Sequence, residues 1–138
     1  DSSTSRGLGD VYKRQIHGGA HARVRAAMDL ATRNLRVVAR RAAYLCADGR
    51  SRAVPADLLA EIERGAGLVR DALDDVSLEP AARATLAALA ARLDPARILP
   101  DGSVGELNLV AALRPLTVDL LVATGMPSAE AQALLPRV

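Results

Sequence analysis

Ala20 to Ala47 reads AHARVRAAMDLATRNLRVVARRAAYLCA, and its spacing decides the fold class. Val24, Met28, Ala31, Leu35, Val38, Ala42 and Leu45 recur at alternating steps of four and three. Such steps put side chains on one face of an α-helix, whereas a half-buried strand alternates with period two. Asp48-Gly49 follows as a stop, because glycine takes up a left-handed cap position without a Cβ penalty.

The same period continues downstream. Pro55 suits the first turn of a second helix, on which Leu58, Ile62, Ala66, Val69, Leu73 and Val76 form the apolar stripe. Gly65 and Gly67 either weaken that helix, by about 1 kcal/mol each relative to alanine, or permit a close helix crossing. A third, shorter helix runs from Pro80 to Leu93, with Leu86, Leu89 and Leu93 toward the core, and Asp94-Pro95 ends it. Residues 98–105, ILPDGSVG, are turn chemistry. Glu106 to Thr124 is apolar nearly all round, which marks a buried helix, and Pro115 is expected to kink or divide it. Ser128 opens a last short turn of helix that Pro136 ends. The expected fold is all-α: an antiparallel bundle of about four helices with a short C-terminal turn of helix.

Upstream, Ser5 to Gln15 reads SRGLGDVYKRQ, which resembles the in-frame translation of a transposase-type sequencing adapter. Lys13, the only lysine in the chain, lies inside it, while every basic residue from Ile16 onward is arginine. We therefore treat residues 1–15 as a non-native leader and residues 16–138 as the helical domain, joined at its start to foreign sequence. Removing the leader takes away three bases (Arg6, Lys13, Arg14) and two acids (Asp1, Asp10), so the net charge of +2 becomes +1. The native part fits one domain with a core. So small a charge excess argues against a dedicated nucleic-acid binder. No run of about 20 apolar residues occurs, so the fragment alone is expected to be soluble. Cys46 has no partner for an internal disulfide and reads as a small buried apolar residue.

Catalytic constellations are scarce. His17 and His21 have the i, i+4 spacing of two helical metal ligands, but Gly18-Gly19 interrupts the helix between them and no cysteine is near. Asp74 and Asp75 diverge by about 100° on a helix and read as a solvated helix end. Gly65-x-Gly67 lacks the third glycine and the preceding strand of a dinucleotide fingerprint. Ser103 has no strand–turn–helix setting and no histidine downstream. Neither enzymatic activity nor a cofactor or metal is expected.

Two features remain. Arg23, Arg25, Arg33, Arg36, Arg40 and Arg41 on the first helix face only one acid, Asp29, which reads either as a solvated face or as a basic surface for anionic lipid. Asp119 is the one acid in the apolar run 116–123. A buried carboxylate needs a partner, and the expectation is that Arg36 or Arg40 contacts it and fixes the register between the first and fourth helices.

MDLATRNLRVVARRA (28–42) and GSVGELNLVAALRPLTVDLLVATGM (102–126) carry a resemblance. The first contains an arginine-rich "ATRN" helix. In the second, Val110, Ala111, Leu113 and Arg114 match a "VAxLR" pattern, and Val118 to Leu121 with Ala123, Thr124 and Gly125 match "VDLLxATG". Together they resemble the cytoplasmic C-terminal part of bacterial FUSC-type proteins, the fusaric acid resistance and aromatic acid exporter superfamily. The two regions cover about 40 residues, and Pro115 departs from the usual pattern. The resemblance implies a domain on the cytoplasmic face of the bacterial inner membrane, with the arginine-rich helix following the last membrane span. The whole protein would export small organic acids, aromatic ones among them, while this domain supports assembly. Its implied partners are the protein's own N-terminal membrane domain, a second copy in a homo-oligomer and an anionic lipid surface. The rival expectation is a free-standing helical interaction module without a membrane connection.

Overall fold

In the computed structural model the described residues form helices and no strand. The structure describes residues 2–138, with side chains described from Ala22 onward. The leader's packing and the pair His17 and His21 therefore lie outside the described side chains. Helix α1 spans Ser2–Cys46, α2 Ala53–Asp74, α3 Glu79–Arg92, α4 Pro95–Ile98, α5 Val104–Ala123 and α6 Ser128–Ala133, with a 3₁₀ turn at Val76–Leu78 before α3.

Helix α5 is the centre. Its apolar circumference lets it receive α1, α2 and α3 on different sides, and α6 folds back on its C-terminal end. The deepest layer is leucine: Leu58 from α2, Leu86 and Leu89 from α3, and Leu109, Leu113 and Leu121 from α5 are fully buried. Each such side chain contributes about 1.5–3 kcal/mol relative to exposure. Helices α2 and α3 run antiparallel, since Gly65 lies against Leu86 while Asp57 meets Arg92. The crossing is close because position 65 has no side chain. A Cβ there would lie 2.5 Å from Leu86 Cδ2. Gly67, by contrast, faces only the tip of Arg70.

Of the two outcomes expected at Pro115, a kink or a division, the division does not occur: α5 runs through it. Proline leaves the carbonyl four residues back without its helical donor. That carbonyl belongs to Ala111, and Ala111 and Pro115 are both exposed, so solvent can satisfy it. The helix begins two residues earlier than the sequence indicates because Ser103 and Glu106 form a capping box. The Ser103 hydroxyl accepts from the Glu106 amide, and the Glu106 carboxylate accepts from the Ser103 amide, both at 3.2 Å. At the far end Gly125, at φ +96°, closes α5, as Gly49, at φ +72°, follows α1.

Helix α1 packs principally on α5, and the direction is antiparallel: Leu45 lies beside Gly105, Asn34 beside Asp119, and Arg23 beside Gly125. At 45 residues against 20, α1 is more than twice as long as α5, about 68 Å against 30 Å. Its buried seam is Ala27, Ala31, Val38 and Leu45. Ala31, Val38 and Leu45 of the expected stripe are buried, and the seam is turned from that stripe by less than half a residue step. Met28 and Leu35 are exposed, at 37% and 51%, and Ala27 and Asn34 take their places. Small residues in the seam let α1 approach the bulky leucines of α5.

Candidate functional site

Among the described residues, the seam between α1 and α5 holds one side-chain hydrogen bond. The Asn34 amide Nδ2 donates to Asp119 Oδ2 at 2.5 Å, in a half-buried setting. Burial pushes the Asp119 carboxyl above its ordinary range, and the hydrogen bond from Asn34 opposes that rise. The expected partners Arg36 and Arg40 do not reach it, and no ion pair joins them among the described residues. The reason is angular. At 3.6 residues per turn, Arg36 stands roughly 200° around α1 from Asn34, and Arg40 roughly 240°. Both are exposed and turned away from Asn34.

The six arginines of α1 separate into two sets. Arg25, Arg33, Arg36 and Arg40 lie within roughly a quarter of the helix circumference, opposite the α5 seam. All four are exposed, and they extend along about 22 Å of the axis. Arg23 and Arg41 stand nearer the seam. The Arg23 guanidinium comes close to Gly125, where Arg83 donates at 2.8 Å to the Thr124 carbonyl and at 2.8 Å to Glu79. This placement puts cations at the carbonyl end of α5, where the helix dipole favours them.

Arg114 does not answer Asp119 either. Its guanidinium donates to the Leu93 carbonyl, at the end of α3, and at 2.6 Å to the Pro136 carbonyl near the chain end. It is a clamp between three segments, which the sequence shows only as an arginine beside a proline.

A groove of about 650 Å³ opens between the C-terminal part of α1 and the first turn of α5. Its apolar wall is Val37, Leu45 and Val104, and its polar members are Arg40, Arg41 and Asn108, with the Tyr44 ring at the edge. Gly105 lines it without a side chain. A second groove, about 420 Å³, separates α1 from α2 at Leu35, Leu59 and Ile62.

Other residues have structural roles. Asp75 caps the 3₁₀ turn by accepting from the Ser77 amide at 3.0 Å. Asp48 and Arg52 pair at 2.5 Å between α1 and α2, which holds the Asp48 carboxyl well below the usual range. Cys46 is exposed at the end of α1, not buried as expected, because it stands outside the seam. No cluster of metal-ligating side chains occurs among the described residues. No helix of the described residues is long and apolar enough to cross a membrane. Comparison with protein-family models, with curated proteins and with solved structures finds no match.

Proposed function

We propose that this chain is the water-exposed helical domain of a FUSC-type inner-membrane protein that exports small organic acids, aromatic ones among them. In this reading α1, α2, α3 and α5 act as one bundle on the cytoplasmic face, and α1 connects it to the membrane domain upstream. Transport belongs to that membrane domain. The helical domain supports assembly, including self-association, and has no enzymatic role.

One observation carries the reading. The two segments that bear the resemblance, 28–42 and 102–126, are separated by 59 residues in sequence and pack against one another as α1 and α5. Their polar members, Asn34 of the ATRN stretch and Asp119 of the VDLL stretch, are hydrogen-bonded. The matched residues thus form one structural unit, which a chance likeness of two alanine-rich helices does not require. The face of α1 turned away from the bundle carries Arg25, Arg33, Arg36 and Arg40, suited to an anionic membrane surface.

The alternative is a free-standing interaction module. It is favoured by the lack of a membrane-spanning helix among the described residues and by the open groove between α1 and α2. Expression of the complete source gene separates the two. Our reading expects the protein in the inner-membrane fraction, resistant to carbonate extraction, with the α6 end cleaved by protease only from the cytoplasmic side. Recovery in the soluble fraction would favour the module.

A further inference from the structure

We infer, resting on the self-association in the reading above and not on its membrane attachment, that the cleft between α1 and α2 is the surface on which two copies of this chain pair. Helices α1 and α2 each pack on α5 and scarcely touch one another. Leu35 and Val38 wall the cleft on one side, and Leu59, Ile62 and Ala66 on the other. Met28 stands seven positions before Leu35, and Leu73 seven after Ala66, so each continues its wall by two turns. Met28, Leu35 and Leu73 sit on the stripes that periodicity directs toward the core, yet all three are exposed. Apolar side chains aligned on both walls of one open cleft mark an interaction surface, unlike singly scattered ones.

Charge identifies the occupant. On this side the rim of α1 carries Arg25 and Arg36, and the rim of α2 carries Glu63 and Asp74, all exposed. None of the four is ion-paired among the described residues, whereas Arg70, also on the α2 rim, is paired with Asp71 at 3.2 Å. The two helices run antiparallel, because Arg52 beside the start of α2 donates at 3.0 Å to the Leu45 carbonyl at the end of α1. Arg36 stands ten residues back from Cys46, and Glu63 ten on from Ala53. Arg25 and Asp74 are each twenty-one residues from the same two ends. Base and acid are therefore level across the cleft at both places. A second copy, turned by half a rotation about an axis along the cleft, lays its α1 antiparallel on this α2. Leu35 of each copy then meets the Ile62 wall of the other, Arg36 meets Glu63 and Arg25 meets Asp74, each contact occurring twice. An axis across the cleft would instead set α1 on α1, arginine against arginine. The groove on the other flank of α1 offers no such match, since its charged members, Arg40 and Arg41, are of one sign. A foreign helix would need acid along one edge and base along the other at this spacing, which a second copy has by construction. Arg33 and Arg40, farther around α1, stay clear of the pairing.

Sedimentation equilibrium of the 138-residue chain tests the pairing. At about 0.1 mM and low salt the mass should be twice the 14.4 kDa of one chain. Leu35→Gln with Leu73→Gln should weaken the dimer by about tenfold or more, with helical circular dichroism unchanged because both side chains are exposed. Arg36→Glu or Glu63→Arg alone should weaken it by about fivefold, and the two together should recover most of that loss. A monomer at that concentration, its cleft left to a foreign helix, would overturn the inference. So would a dimer indifferent to the leucine pair, or charge reversals that do not rescue one another. A monomeric domain whose full-length protein fractionates with the inner membrane sinks this inference alone. A dimer whose full-length protein is soluble sinks the membrane attachment alone.

Discussion

Asn34 and Asp119 meet at 2.5 Å across the seam of α1 and α5, amide against carboxylate, with no arginine joining them in an ion pair among the described residues. A neutral partner alters the energetics of the one acid in the apolar run of α5. An amide cannot offset the cost of burying a charge as a guanidinium would, so burial prevails and the carboxyl titrates above its ordinary range.

The pH dependence of stability follows from that direction. The folded chain holds the Asp119 proton more tightly than the unfolded chain. This group's contribution is therefore fully present below the ordinary carboxylate range and is lost as pH rises through the raised value. Urea denaturation of wild type and Asp119→Asn between about pH 3 and pH 7 should show the wild type losing ground to the variant as pH rises. A wild-type advantage that grows with pH would be the signature of a cationic partner such as Arg36. Asp119→Ala should cost about 1 kcal/mol at neutral pH, against about 3 kcal/mol or more for breaking a buried ion pair.

The two glycines of α2 should respond with opposite signs. Gly65→Ala places a Cβ 2.5 Å from Leu86, a fully buried side chain, and overpacking of this kind costs about 1–3 kcal/mol. Gly67→Ala meets nothing closer than the Arg70 tip at 3.9 Å and should gain up to about 1 kcal/mol from helix propensity. Thermal melts of the two variants check both signs. Equal effects would mean that α2 and α3 do not cross at Gly65.

Much of the fold was legible in the sequence, and the departures share a cause. Periodicity located α2, α3 and α5 to within a few residues, although Leu73 and Val76, expected on the α2 stripe, are exposed. On α1 it found Ala31, Val38 and Leu45 of the seam but put Met28 and Leu35 where Ala27 and Asn34 stand. Alanine is spread around that helix, and the hydrophobic count favoured Met28 and Leu35, while α5 needed small residues at 27 and 31. Asn34 went unnoticed as a site residue because an amide inside an arginine-rich stretch carries no periodic signal. The capping box at Ser103 and Glu106 had a readable signature, S-x-x-E before an apolar run. The Arg114 clamp had none, since its acceptors are carbonyls at two remote chain segments.

The proposal that Asp1 to Gln15 is foreign sequence predicts that it contributes little to stability. Deleting it should move the melting temperature by no more than about 2 °C, which for a chain of this size corresponds to a few tenths of a kcal/mol. A drop of ten degrees would show native structure in that segment.

The outward face of α1 should select anionic membranes. The chain should float with vesicles containing phosphatidylglycerol and not with pure phosphatidylcholine. The difference should fade between about 0.05 and 0.5 M salt as screening shortens below the reach of the arginines. Replacing Arg25, Arg33, Arg36 and Arg40 with glutamine should abolish it. Equal flotation on both vesicles would return this face to ordinary solvated charge.

The proposed attachment of this domain to a membrane protein is tested most directly by the source DNA upstream of the Ile16 codon. The account predicts an open reading frame encoding several apolar segments of about 20 residues each, the last running directly into α1. A start codon immediately before Ile16, or an upstream frame without such segments, would contradict it.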